Sequence, residues 1–144
     1  WNGALDNMIP YEGLKDALTK LKDLDYRLGI ITNMEASIQY RKLVQLDLTT
    51  QFDNIITSEE VGHEKPHPLI YSHALNIFNV DPKYTWMVGD SFNNDIEAAT
   101  WMGMNAVWFN PNKFPKPKNA DRINFYEINT FSEFVNLIQK EKSE

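Results

Sequence analysis

Four short apolar runs recur along the chain, and each is separated from the next by a stretch long enough for a helix. Residues 27–32 close on Ile30-Ile31-Thr32, and residues 52–57 on Ile55-Ile56-Thr57. Residues 84–89 carry Trp86-Met87-Val88-Gly89, and residues 105–109 read Asn105-Ala106-Val107-Trp108-Phe109. Runs that are apolar on both faces suit strands buried inside a parallel sheet. The intervening segments change period. Leu14, Ala17, Leu18 and Leu21 fall at helical spacing, so residues 11–25 are predicted as an amphipathic helix opened by Pro10. Further helices are predicted over 36–46, over 68–79 with Pro68 in the first turn, and over 93–102, closed by Gly103 in a left-handed cap. Ser58-Glu59-Glu60 reads as a short helix start, residues 123–128 as a last short strand and residues 131–140 as a final helix. Residues 110–118, rich in Pro, Lys and Asn, read as loop, and the prolines of 63–68 make that segment loop as well. Strand alternating with helix predicts an α/β fold with a mainly parallel sheet.

The 144 residues suffice for one domain with a hydrophobic core. The net charge is -6 and no Lys/Arg block stands out, which argues against a nucleic-acid partner. No apolar run approaches the ~18 residues of a membrane span, so no membrane partner is expected. The chain has no cysteine, which removes disulfides, thiolate metal sites and a cysteine nucleophile. That composition fits a reducing compartment, and a cytoplasmic location is the expectation. An acidic chain that binds a phosphorylated small molecule must do so with a few local cations and a metal.

Ligands in open parallel sheets bind at the carboxyl ends of the strands. That rule singles out Thr32-Asn33, Thr57-Ser58, Gly89-Asp90-Ser91 and Asn110. One strand end offers a hydroxyl and an amide. Another offers two carboxylates, Asp90 and Asp95, across a tight turn into a helix. Between them Glu64-Lys65-Pro66-His67-Pro68 holds a lysine among prolines. These residue types make a set for phosphate and a divalent metal. Mg²⁺ prefers carboxylate and phosphate oxygens, which Asp90 and Asp95 would share with a substrate. Thr32 can hydrogen-bond a phosphate oxygen, and Lys65 can neutralise negative charge that develops during transfer. Gly89 removes a side chain where the backbone turns sharply. His63 and His67 are four apart, a zinc spacing only on a helix, which Pro66 and Pro68 forbid here. Trp86 and Trp108 are expected in the core, and Lys113, Lys116 and Lys118 on a solvated loop.

The order of these motifs resembles the haloacid dehalogenase-like hydrolase superfamily. Its strand ending in Thr or Ser is matched by Ile30-Ile31-Thr32-Asn33, its lysine motif by Lys65-Pro66-His67-Pro68, and its paired carboxylates by Gly89-Asp90 through Asp95. The spacing of Asp95, Ala99, Gly103 and Met104, and then Trp108 and Asn110, is also similar to this family. The resemblance is closest to members that hydrolyse nucleoside monophosphates and other small phosphate esters. It implies a Rossmann-like three-layer α/β/α core and a Mg²⁺-dependent phosphatase. Lys65, Thr32 and Asp90 would be catalytic. Thr32, Asn33 and Lys65 would bind phosphate, and Asp90 and Asp95 the metal.

The family's first motif, Asp-x-Asp closing its first strand, has no counterpart. The only Asp-x-Asp is Asp23-Leu24-Asp25, which precedes a strand and reads as the polar end of the first helix. The chain is therefore expected to be the C-terminal part of the core, residues 1–8 being the tail of a cap segment. The central strand, with the nucleophilic aspartate, is expected from a segment outside this chain. The strands at 27–32 and 84–89 would then border an empty slot, and the chain alone would be inactive. The alternative is a non-catalytic module that keeps a magnesium and phosphate site for regulation. A flavodoxin-like or receiver domain lacks the required phosphate-loop run, and the dehalogenase branch fits Gly89-Asp90-Ser91 less well.

Overall fold

The computed structural model describes residues 13–143. The expected cap tail at 1–8 and the start of the first helix lie outside them. In chain order the elements are α1 (Leu14–Asp23), β1 (Gly29–Thr32), α2 (Ala36–Gln45), β2 (Asn54–Thr57), α3 (Ser58–Val61) and α4 (Pro68–Phe78). Then come β3 (Trp86–Gly89), a wide helical turn (Phe92–Glu97) running into α5 (Ala98–Trp101), β4 (Asn105–Phe109), β5 (Tyr126–Ile128) and α6 (Phe131–Ser143). Every described strand pairing is parallel. Thr32 pairs with Thr57 across β1 and β2, and Gly89 with Trp108 across β3 and β4. The carboxyl ends therefore lie level within each sheet.

The helices cover both faces, giving the three layers. Leu14, Leu18 and Leu21 of α1 pack with Phe134, Val135 and Ile138 of α6 in one cluster. Ile70, Tyr71 and Ala74 of α4 pack with Ile96 and Ala99 in the other. β4 divides its side chains between them by the two-residue period of a strand: Val107 and Phe109 join the first cluster, Ala106 and Trp108 the second. This is why 106–109 reads as an unbroken apolar run.

The strands do not form one continuous sheet. Among the described residues β1 and β2 make one sheet and β3, β4 and β5 another, with no pairing between β1 and β3. A cavity of about 370 Å³ lies between them, lined by Gly29, Ile30 and Ile31 of β1 and by Trp86, Met87 and Val88 of β3. The leucines of α1 and Phe131, Phe134 and Ile138 of α6 line it as well.

Three expectations shift in detail. The helix predicted over 93–102 is two pieces, a turn of wider i→i+5 pitch over Phe92–Glu97 and a short α-helix after it. The strand at 84–89 begins only at Trp86, because Asp81 caps a single 3₁₀ turn over Pro82–Tyr84. Trp86 is half-buried, not fully buried, because it faces the cavity. Asp23 and Asp25 do close the first helix, Asp25 in the left-handed region at φ 67°.

Candidate active site

Thr32 ends β1 and is buried, and its Oγ1 accepts from the Met34 N–H at 3.0 Å. That bond turns the chain away from the strand and leaves the hydroxyl proton to be donated. Asn33 follows, and its side chain reaches across to the Lys65 loop. Its Oδ1 accepts from the Lys65 N–H at 2.7 Å, and its Nδ2 donates to the Lys65 carbonyl at 3.4 Å. The Asn33 carbonyl accepts from Ser58 Oγ at 3.2 Å. Ser58 is fixed in turn by a capping box, in which Thr57 Oγ1 accepts from the Glu60 N–H and Glu60 accepts from the Thr57 N–H. Glu59-Glu60 thus begins a helix, as its sequence suggests.

Beyond Lys65, His67 opens α4 by accepting from the Leu69 N–H through Nδ1 at 3.1 Å, with Pro68 in the first turn. The His63 and His67 rings stack at 4.0 Å. No cluster of three His, Cys, Asp or Glu able to hold a metal occurs among the described residues.

Lys65 Nζ donates to Asp95 Oδ1 at 2.8 Å, and the two side chains are only 10% and 2% exposed. Such a pair offsets two desolvation costs and adds little net stability, but losing one partner strands a buried charge. An ammonium has three N–H donors, so this bond leaves two for an anion in front of it. The second Asp95 oxygen accepts from the Ser91 N–H at 3.1 Å. Asp95 lies against Gly89 so closely that a Cβ on Gly89 would overlap its carboxylate. The glycine is required by this contact.

Asp90, exposed at the end of β3, and Asp95, buried behind it, are the carboxylates that can serve a cation. Two carboxylates without a third protein donor suit Mg²⁺, which keeps waters and takes substrate phosphate oxygens, better than a cation needing a full protein cage. Asp95 already accepts from Lys65 and Ser91, so Asp90 is the more accessible of the two.

Trp108, expected in the core, and Tyr71 hold this loop from behind. Trp108 Nε1 donates to the Asp90 carbonyl at 3.1 Å. The Tyr71 hydroxyl donates to the Asn94 carbonyl. Both side chains sit on apolar faces, and nothing in their spacing distinguishes them from packing residues. Burial, and secondarily the Asp95 charge, push the Tyr71 phenol far above its ordinary 10.0. A raised folded-state value means that the stability from the neutral hydroxyl is complete below pH ~10 and lost as pH rises beyond it. Tyr71→Phe should cost about 1 kcal/mol at pH 7 by stranding the Asn94 carbonyl. Denaturant unfolding at pH 7 and again above pH 10 should show that deficit shrinking. A deficit that stays constant or grows would contradict this account.

The structure thus brings Thr32, Asn33, Lys65, Asp90 and Asp95 to the carboxyl ends of β1 and β3 and the loops that follow. Asn110 is buried instead as a loop anchor, its amide bonded to the Phe114 backbone and to Glu127.

Comparison with known proteins gives the same family. The model of the haloacid dehalogenase-like hydrolases matches residues 2–109. A glyceraldehyde 3-phosphate phosphatase of Pyrococcus abyssi is 42% identical over 97 residues, covering 67% of this chain and 41% of that protein. The crystal structure of a phosphatase of this superfamily from Thermococcus onnurineus superposes with a TM-score of 0.83 at 33% identity, covering 90% of this chain and 58% of that one. YfnB of Bacillus subtilis, a putative hydrolase of the superfamily crystallised with magnesium, superposes with a TM-score of 0.80 at 26% identity, covering 92% of this chain and 56% of that one. The chain spans about half the length of the curated relatives it matches. Its fold, its motif order and these matches together make it a member of the haloacid dehalogenase-like hydrolase family.

Proposed function

We propose that this chain forms part of a Mg²⁺-dependent phosphatase that hydrolyses small phosphate monoesters, a nucleoside monophosphate among the candidates. The observation that carries the reading is the Lys65–Asp95 pair, which Asn33 and Ser91 tie to the carboxyl ends of β1 and β3, where Thr32 and Asp90 stand. A phosphoryl group placed there meets the Thr32 hydroxyl and the Lys65 ammonium, with the Asn33 amide bonded to the Lys65 backbone beside them. Asp90, backed by Asp95, would hold Mg²⁺, which supplies charge neutralisation and alignment when bound.

The described residues offer no carboxylate between β1 and β3 to attack phosphorus. In this reading a strand filling the cavity brings one to the same end. Its oxygen bonds to phosphorus as the alcohol leaves, protonated by a second acid on that segment. Water then cleaves the aspartyl-phosphate and releases phosphate. The phosphatase relatives act on small phosphorylated molecules by their names, which supports a metabolite as the substrate class. No described helix is long and apolar enough to cross a membrane. The absence of cysteine fits our placement of the protein in the cytoplasm.

The test is turnover of a panel of small phosphate monoesters by the 144-residue chain, alone and joined to a segment supplying an apolar strand that ends in Asp-x-Asp. The chain alone should be inactive. The joined form should turn over only with Mg²⁺, and Asp90→Asn should lower the rate at least about 100-fold. Turnover by the chain alone would sink the account of the missing nucleophile. Binding of Mg²⁺ and phosphate by the joined form without turnover would favour a regulatory module.

A further inference from the structure

We infer that Asn33 serves this site as a positioning residue that holds Lys65, and not as a direct contact to phosphate; the inference rests on the phosphatase reading above. Both ends of the Asn33 amide are directed at the backbone of one residue 32 positions away. The oxygen accepts from the Lys65 N–H at 2.7 Å, and the nitrogen donates to the Lys65 carbonyl at 3.4 Å. A carboxamide offers an acceptor and a donor side by side, which suits one residue's backbone N–H and C=O. An anion in the site would meet the acceptor oxygen unfavourably, and that oxygen is turned away onto Lys65.

Asn33 is itself well placed to act as an anchor. It follows β1 directly, and its carbonyl takes the Ser58 hydroxyl at 3.2 Å, which ties it to the start of α3. Lys65 sits in an irregular loop between α3 and α4. No strand or helix fixes its backbone, and its side chain has a long flexible stem with ~2 kcal/mol of rotamer entropy. Asn33 fixes the root of that stem and Asp95 fixes its tip, at 2.8 Å from Nζ. A lysine held at both ends presents its charge at one point without first ordering itself around the anion. That is preorganisation, and it appears in binding as affinity.

A double-mutant cycle on the 144-residue chain, with inorganic phosphate as the probe, tests this. Asn33→Ala should weaken phosphate binding about tenfold, and should weaken it no further once Lys65 is Met. An equal loss in the Lys65→Met background would mean that Asn33 touches the anion directly and would overturn the inference. No loss in the wild-type background would overturn it too. Lys65→Met leaves Asp95 buried without its cation, so the fold of that variant is at risk. Amide exchange at Lys65 is therefore read separately. Asn33→Ala should speed it at least about tenfold, while Asn33→Asp, which keeps the acceptor, should hold it near wild type. Unchanged exchange in Asn33→Ala would also overturn the inference. A joined form with Mg²⁺ that takes up no phosphate, with the exchange difference intact, would remove the phosphatase reading and leave the Asn33–Lys65 clamp standing.

Discussion

Gly89→Ala is expected to destabilise the chain by about 3 kcal/mol, more than alanine costs at Gly103. Gly89 is buried at the end of β3, and the added Cβ would stand 2.5 Å from the Asp95 Cβ and overlap its carboxylate. The carboxylate has no easy escape. Its side chain is 2% exposed, and its oxygens are held by Lys65 Nζ at 2.8 Å and the Ser91 N–H at 3.1 Å. If Asp95 stays, β3 must part from the turn that follows, an overpacking cost of about 1–3 kcal/mol. If Asp95 swings out, Lys65 is left buried without its counter-charge, which costs about 3–5 kcal/mol. Gly103→Ala is the control. Its φ of +81° is strained for alanine, but the nearest atom to its Cβ is Pro82 at 3.7 Å, so only the ~1–2 kcal/mol of left-handed strain is expected. Equilibrium unfolding in denaturant separates the two, provided the slope is the same in both variants. A Gly89→Ala loss no larger than that of Gly103→Ala would show that the Asp95 contact does not constrain the fold.

That contact was only half legible in the sequence. A glycine before an aspartate at a strand end announces a tight turn, and the motif order announces Asp90, Asp95, Lys65 and Thr32. The apolar runs gave the strands because burial on both faces leaves a local mark, as in β4. Nothing local marks which polar group a side chain will meet 30 or more residues away. The strand end and the resemblance point Asn33 toward phosphate, and its reach to the Lys65 backbone belongs to tertiary geometry. The polar contacts of Tyr71 and Trp108 leave no mark in the sequence for a related reason. Each contributes one polar atom from an otherwise apolar side chain, so periodicity assigns it to the core, and its hydrogen bond to Asn94 or Asp90 is added by the fold. The wide turn over Phe92–Glu97 was missed because an i→i+5 pitch keeps the composition of a helix.

Joining an apolar strand of four or five residues ahead of Trp1 is expected to stabilise the chain by about 3 kcal/mol. The cavity between β1 and β3 has the shape of the problem: apolar walls from two strands and a covering of α1 and α6 side chains. A strand entering it would be buried on both faces, so each residue should be Val, Ile or Leu. Each buried side chain gains about 1.5–3 kcal/mol, against about 1–2 kcal/mol of backbone entropy per residue. The direction of entry follows from chain order. α1 lines the cavity and immediately precedes β1. A strand ahead of α1 can use it as the crossover of a right-handed strand–helix–strand unit and run parallel to β1. Its carboxyl end then emerges beside Thr32 and Asp90, where the proposed chemistry needs a carboxylate. The same extension with lysine at alternate positions is the control, since it puts charge against one apolar wall. Denaturant midpoints should rise for the apolar extension alone, and a dye that reports exposed apolar surface should bind it less than the unextended chain. Equal midpoints for both extensions would mean that the cavity does not receive a strand, and the proposed source of the nucleophile would fall with it.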